Sequence, residues 1–319
     1  MKINFRKWIC IVCLVLLQHL MGSWGFFAHK LINESATFSL PPEISGFFKE
    51  YIQYITEHAV DPDKRCYIDT LESPRHFIDI DDLHESGVDS VPIHWSKAKE
   101  KFSERKLRAA GIIPWQIDRS YTNLRDAMYE GNLQKILRHA ADLGHYVGDA
   151  HVPLHTTKNY NGQFTNQIGI HAFWETRLPE RFSGQYNLWV GKATYIASPL
   201  DEAWEIIRQS HALIDSVLSL EKELNGRFAR DQKYAYVVRQ RNLKRDYSEK
   251  YAQAYHQALN GMVERRLRAS IRQTANFWYS AWIDAGQPDL SRLINEKYVM
   301  DTIPSPISGQ KSLGRQEWH

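Results

Sequence analysis

The stretch GNLQKILRHAADLGHYVGDAHVPLH, residues 131–155, decides how the rest of the chain is read. Ile136, Leu137, Ala140, Ala141, Gly144 and Val147 recur at the spacing of one helix face, so Gly131 to Gly148 reads as a helix. Small residues at 140, 141 and 144 predict that a neighbouring helix packs closely there. His145 and Asp149 are four apart and aim at a common point. Pro153 breaks the helix just beyond, so the chain can turn back and bring His155 to the same cavity. His151 lies two after Asp149, off that face, and is left out of the set.

The other strongly periodic segments are also helical. Ser198-Pro199-Leu200-Asp201 has the chemistry of a helix start, and Trp204, Ile207, His211, Ile214 and Leu218 follow at helical spacing until Gly226. A long run from Ser248 to Ala285 carries Tyr251, Tyr255, Leu259, Val263, Leu267, Ile271, Phe277 and Trp282, with Gly261 as a weak point and Gly286 and Pro288 as stops. Period-two runs are few and no internal repeat is visible. The fold class expected is mainly α, a single compact multi-helix domain over residues 24–302. Residues 303–319, rich in Pro, Ser and Gly, read as a flexible tail.

The first 23 residues have the anatomy of a secretory signal peptide. Lys2, Arg6 and Lys7 precede a mostly apolar stretch, Trp8 to Met21, which is short for a membrane span of roughly 20 apolar residues. Those three cations account for the formal net charge of +3, so the chain from Trp24 onward is formally neutral and carries no broad footprint for polyanions. Of 3 cysteines only Cys66 lies beyond the segment, which excludes a disulfide within one mature chain. With 10 Trp, 16 Tyr and 13 Phe, one large core can be filled. No further stretch suits a transmembrane segment and no protein partner is implied; the expected location is secreted or periplasmic, after cleavage before Trp24.

A second pair four apart, His171 and Glu175 in HAFWE, follows the first. Upstream lie Asp61, His76 and, near the start, Trp24 and His29. Imidazole and carboxylate are the ligands zinc takes where thiolate is absent. A freed amine at Trp24, with its own carbonyl, would chelate an ion, because an α-amino group loses its proton readily near neutral pH. On spacing alone, Trp24 as an apolar anchor and His29 as a surface residue is the stronger reading.

WGFFAH (24–29), the aspartate of AVD (Asp61), RHFID (75–79), HYVGD (145–149), PLH (153–155) and HAFWE (171–175) occur in a characteristic order. In that order the chain resembles the superfamily of zinc-dependent phospholipases C and single-strand-specific type I nucleases, over Trp24 to Glu175. The resemblance implies that fold and three zinc ions. One would be held by Asp61, His76, His145 and Asp149. Another would take His155, His171 and Glu175, and a third the amine and carbonyl of Trp24 with His29 and Asp149. Asp61 would also orient the attacking water in hydrolysis of a phosphodiester.

The substrate is drawn both ways. Fifteen residues from Asp61 to His76, and Lys64 three after Asp61, resemble the nucleases; Glu175 and the loop from His155 to His171 resemble the phospholipases. Single-stranded nucleic acid is favoured over phospholipid, with a non-catalytic zinc-binding protein as a third reading. Lys64 and Phe77 are the candidate substrate contacts, Phe77 by stacking on a base or, equally, as ordinary core. Asn159, Tyr160, Asn161 and Asn166 in the loop 156–170 are expected to wall the site. The basic run Arg239 to Arg245 reads as a solvated face rather than a phosphate track.

Overall fold

The computed structural model describes residues 26–84, 86–239, 242–299 and 303–304. The segment read as a signal peptide, Trp24 and nearly all of the segment read as a tail lie outside the described residues. Eight helices carry or frame the site: α1 Phe26–Thr37, α2 Asp61–Arg65, α3 Ile113–Glu130, α4 Leu133–Ala150, α5 Pro199–His211, α6 Ile214–Arg227, α7 Glu249–Ala258 and α8 Met262–Asp284. Strands β1 Tyr234–Arg239 and β2 Asn242–Tyr247 form one antiparallel pair.

Local chemistry sets the boundaries. Gly131, at φ 64°, ends α3 in the left-handed conformation that glycine adopts most cheaply, and the Asn132 side chain accepts from the Lys135 backbone N–H to start α4. The two helices therefore lie antiparallel. Close approach at the small residues holds: Asn33 of α1 donates to the carbonyls of Ile55 and Ala141, at 3.2 and 3.1 Å, in the space that the missing side chain of Gly144 leaves open.

Two long runs divide where the sequence reads as continuous. Asn260 and Gly261, at φ 46° and 74°, turn the chain between α7 and α8, so Gly261 is a break rather than a weak point. Between α5 and α6 the chain turns at Ala212 and Leu213, and His211 Nδ1 lies 3.1 Å from the carbonyl of Thr156. Of the basic run at 239–245, read as a solvated face, residues 239 and 242–245 belong to the β hairpin, and residues 240 and 241 lie outside the described residues.

Buried apolar side chains form two clusters. The larger joins α1, α3, α4, α5 and α8 around Phe48, Tyr146, Trp204 and Trp278. The smaller gathers Leu154, Phe173, Leu178, Tyr251 and Tyr255 around the segment 170–182. Together they make one mainly helical body. No helix among the described residues is long and apolar enough to cross a membrane.

Candidate metal centre

The seam between the two clusters is polar. His29 comes from α1, Asp63 from α2, His76 from the turn after Ser73–Arg75, and His145 and Asp149 from α4. From the other side come His155, in the 3-10 turn Pro153–Thr156, and His171 and Glu175, carried by Ile170–Ala172 and the π-helical turn Phe173–Arg177. All eight are buried. Their ligand atoms fall into three groups, each drawn together within 4.8 Å: His29, His145 and Asp149; Asp63, His76 and His145; His155, His171 and Glu175.

Hydrogen bonding explains why these rings suit cations. The Nδ1–H of His145 donates to the carbonyl of Ala59 at 2.8 Å, and that of His155 to the carbonyl of His76 at 2.6 Å. Each neutral ring then turns a bare Nε2 lone pair inward. That of His145 meets Asp149 Oδ2 at 3.2 Å, His76 Nδ1 at 3.1 Å and Asp63 Oδ1 at 3.6 Å. That of His155 meets Glu175 Oε2 at 3.2 Å, which also lies 2.7 Å from His171 Nε2. Lone pairs facing carboxylate oxygens in a buried space repel unless a positive charge sits between them. His29 Nε2, 3.3 Å from Asp149 Oδ1 and 3.8 Å from Glu175 Oε1, ties the two sides together. Its ring fits because Gly148 has no Cβ, which would stand 3.0 Å from His29 Nδ1.

The charges respond accordingly. Burial pushes the Asp149 carboxyl up, but the imidazoles of His145, His155 and His29 outweigh it and hold the group well below the usual carboxylate range. Glu175 is likewise held well below that range, burial being overcome by His155 and His171. His145 is lowered by burial and by its stacked neighbour His29, 4.0 Å away. Burial would lower His29 and His76 as well, but Asp149 beside both, and the Cys66 thiol beside His76, raise them, so the carboxylates stay anionic among imidazoles. Oxygen and nitrogen donors of this kind are the set divalent zinc takes once those rings are deprotonated.

Of the two aspartates in the segment DPD, the structure groups Asp63, rather than the expected Asp61, with His76 and His145. Two residues apart on a helical turn, their side chains diverge, and only one can face the cluster. Asp61 turns away, with Oδ2 2.5 Å from His58 Nδ1 and Oδ1 accepting from Lys64 Nζ at 2.7 Å. It borders a separate cavity of about 240 Å3 with Tyr54, His58, Arg65 and Arg138. Lys64, tied to Asp61, follows it away from the donor groups. Phe77 is 3% exposed with its ring against Gly111, a core placement rather than a face offered to a base.

In the loop 156–170, Tyr160 lies against the ring of His171, with centroids 6.0 Å apart. The asparagines shape the loop: Asn159 Oδ1 accepts from Phe164 N–H and Asn161 Oδ1 from Gly169 N–H, both at 2.9 Å, while Asn166 takes a left-handed turn at φ 61°. Sequence reasoning also passed over Glu72. It is fully buried, one turn before His76, with Oε1 3.6 Å from His76 Nε2. Arg75 and Arg65 donate to its Oε2 at 2.8 and 3.2 Å, and the Tyr146 hydroxyl donates to Oε1. The four-residue spacing from Glu72 to His76 was the available signal.

Comparison with known sequences agrees with this geometry. The chain is 27% identical over 195 residues to nuclease S1 of Aspergillus oryzae (strain ATCC 42149 / RIB 40), an overlap covering 55% of this chain and 61% of that protein. The sequence profile of the S1/P1 Nuclease family matches residues 24–275. With that match enclosing every donor group at the seam, the chain belongs to the S1/P1 nuclease family.

Proposed function

We propose that this protein is a zinc-dependent hydrolase that cleaves phosphodiester bonds in single-stranded nucleic acid. The observation that carries the reading is the convergence of the inward Nε2 lone pairs of His145 and His155 on the carboxylates of Asp149 and Glu175. Three ions suit the three donor groups. Asp63, His76, His145 and Asp149 would hold the first, and His155, His171 and Glu175 the second. His29 and Asp149, with the amine and carbonyl of Trp24 once a signal peptide is removed, would hold the third. His145 Nε2 belongs to two donor groups but has one lone pair, so it serves a single ion.

Zinc so held supplies an acidified water and positive charge for phosphate oxygens. The chain's own residues do the rest. The carbonyls of Ala59 and His76 fix the ring tautomers, and Glu72 faces the outer nitrogen of His76. The carboxylate of Asp63, with Oδ1 3.7 Å from His76 Nδ1, takes the water-orienting role expected of Asp61.

Purified protein beginning at Trp24, loaded with zinc, is expected to cleave single-stranded DNA or RNA. A form extended before Trp24 should lose one ion per chain and most activity. Turnover of phosphatidylcholine without turnover of either nucleic acid would replace this reading with a phospholipase C. Bound zinc with no hydrolysis would leave a metal-binding protein.

A further inference from the structure

The β hairpin carries a face that the metal centre does not use. In its register Tyr234 pairs with Tyr247 and Tyr236 with Arg245, so these four side chains share one side. The inner pair is anchored. Tyr247 stacks on Phe173, with ring centroids 3.7 Å apart and planes at 13°, and Phe173 begins the turn that carries Glu175. Tyr234 lies 5.3 Å from Tyr247, and the Arg245 guanidinium sits 4.4 Å over the Tyr234 ring. The outer part is bare: Tyr236 is 71% and Leu243 67% exposed, and Arg245 is exposed as well.

The hairpin sequence is also basic. From Tyr234 to Tyr247 the sequence holds Arg239, Arg241, Lys244 and Arg245 against one acid, Asp246. Asp246 occupies the other face and meets Arg177 Nε at 3.4 Å and Arg181 Nη2 at 3.6 Å. By the register Arg245 is the cation on the tyrosine face, which thus presents a run of rings and one flat guanidinium, rooted on the segment that supplies His171 and Glu175. Flat π faces spaced along a polyanion complement such a surface, because any base can stack on tyrosine or arginine while its phosphate meets a cation.

We infer that the Tyr236 and Arg245 face of the hairpin is a stacking platform for single-stranded nucleic acid, holding nucleotides outside the metal centre. The inference rests on the nuclease reading of that centre and adds to it a site that favours long strands over short ones. Successive cross-strand pairs on one face lie about 7 Å apart, close to the step between stretched nucleotides.

The test uses zinc-loaded protein and its Tyr236→Ala and Arg245→Ala variants, with Tyr129→Ala, an equally exposed tyrosine on α3, as control. Binding of a phosphorothioate-protected oligothymidylate of about fifteen nucleotides is followed by fluorescence anisotropy, and hydrolysis of a thymidine dinucleotide is measured beside it. The hairpin variants are expected to bind the long strand about tenfold more weakly, with dinucleotide hydrolysis unchanged and the control like the parent. Unchanged binding by both hairpin variants, with the dinucleotide still cleaved, would overturn the platform and leave the nuclease reading standing. Failure to cleave the dinucleotide, with cleavage of phosphatidylcholine vesicles, would remove the nuclease reading itself. Loss of vesicle co-sedimentation in the hairpin variants would then reassign the face to a lipid surface and overturn the inference.

Discussion

Asp61 and Asp63 show how much depends on a displacement of two positions in a helical turn. Asp63 stands among His76 and His145, whereas Asp61 is engaged by His58 and Lys64. Asp63→Asn is therefore expected to lose bound zinc and to cut hydrolysis by about a hundredfold or more. Asp61→Asn should keep its full metal content by elemental analysis. Equal zinc loss in both variants would refute the assignment. Glu72 acts one layer out, and Glu72→Gln should weaken zinc affinity or turnover between about ten and a hundredfold without unfolding the protein. The paired spacings in HYVGD and HAFWE made most of this centre legible, since four residues is a single helical step. The choice within DPD was not legible, because both aspartates have the same chemistry and only tertiary packing shows which one faces inward.

At the scale of elements, two contacts hold the scaffold around the site. Gly144 lets α4 meet α1: a Cβ there would stand 1.9 Å from Asn33 Oδ1. Gly144→Ala should destabilise the protein by about 1–3 kcal/mol, as overpacking does, read as a lower denaturation midpoint. On the far side, Glu221 of α6 accepts from Lys233 Nζ at 2.8 Å, from Tyr251 Oη at 2.6 Å and from Gln167 Nε2 at 2.6 Å. Gln167 belongs to the loop that walls the site. Glu221→Ala strands a buried ammonium and releases that loop, so a loss of about 3–5 kcal/mol is expected, together with a raised KM in steady-state assays. The helices of this scaffold were legible from period and caps. The breaks before α6 and α8 were less so, because apolar spacing continues across both turns. The hairpin escaped notice because its charges mask any alternation.

Across the whole molecule, the donor groups lie where two apolar clusters meet. Ions there would tie together parts that otherwise share a polar boundary. Stripping zinc with a chelator should lower the melting temperature and broaden the transition, and re-addition should restore both. A melting curve indifferent to chelation would contradict the proposed metal dependence. Asp63, Asp149 and Glu175 are buried together, and bound cations would add to the charge that the imidazoles already set against these carboxylates. If ions complete these groups, folding competence is expected to follow the trace-metal supply of the surroundings. Where that supply fails, the polypeptide is expected to open along this line first and to be nicked by proteases before it can act as a catalyst.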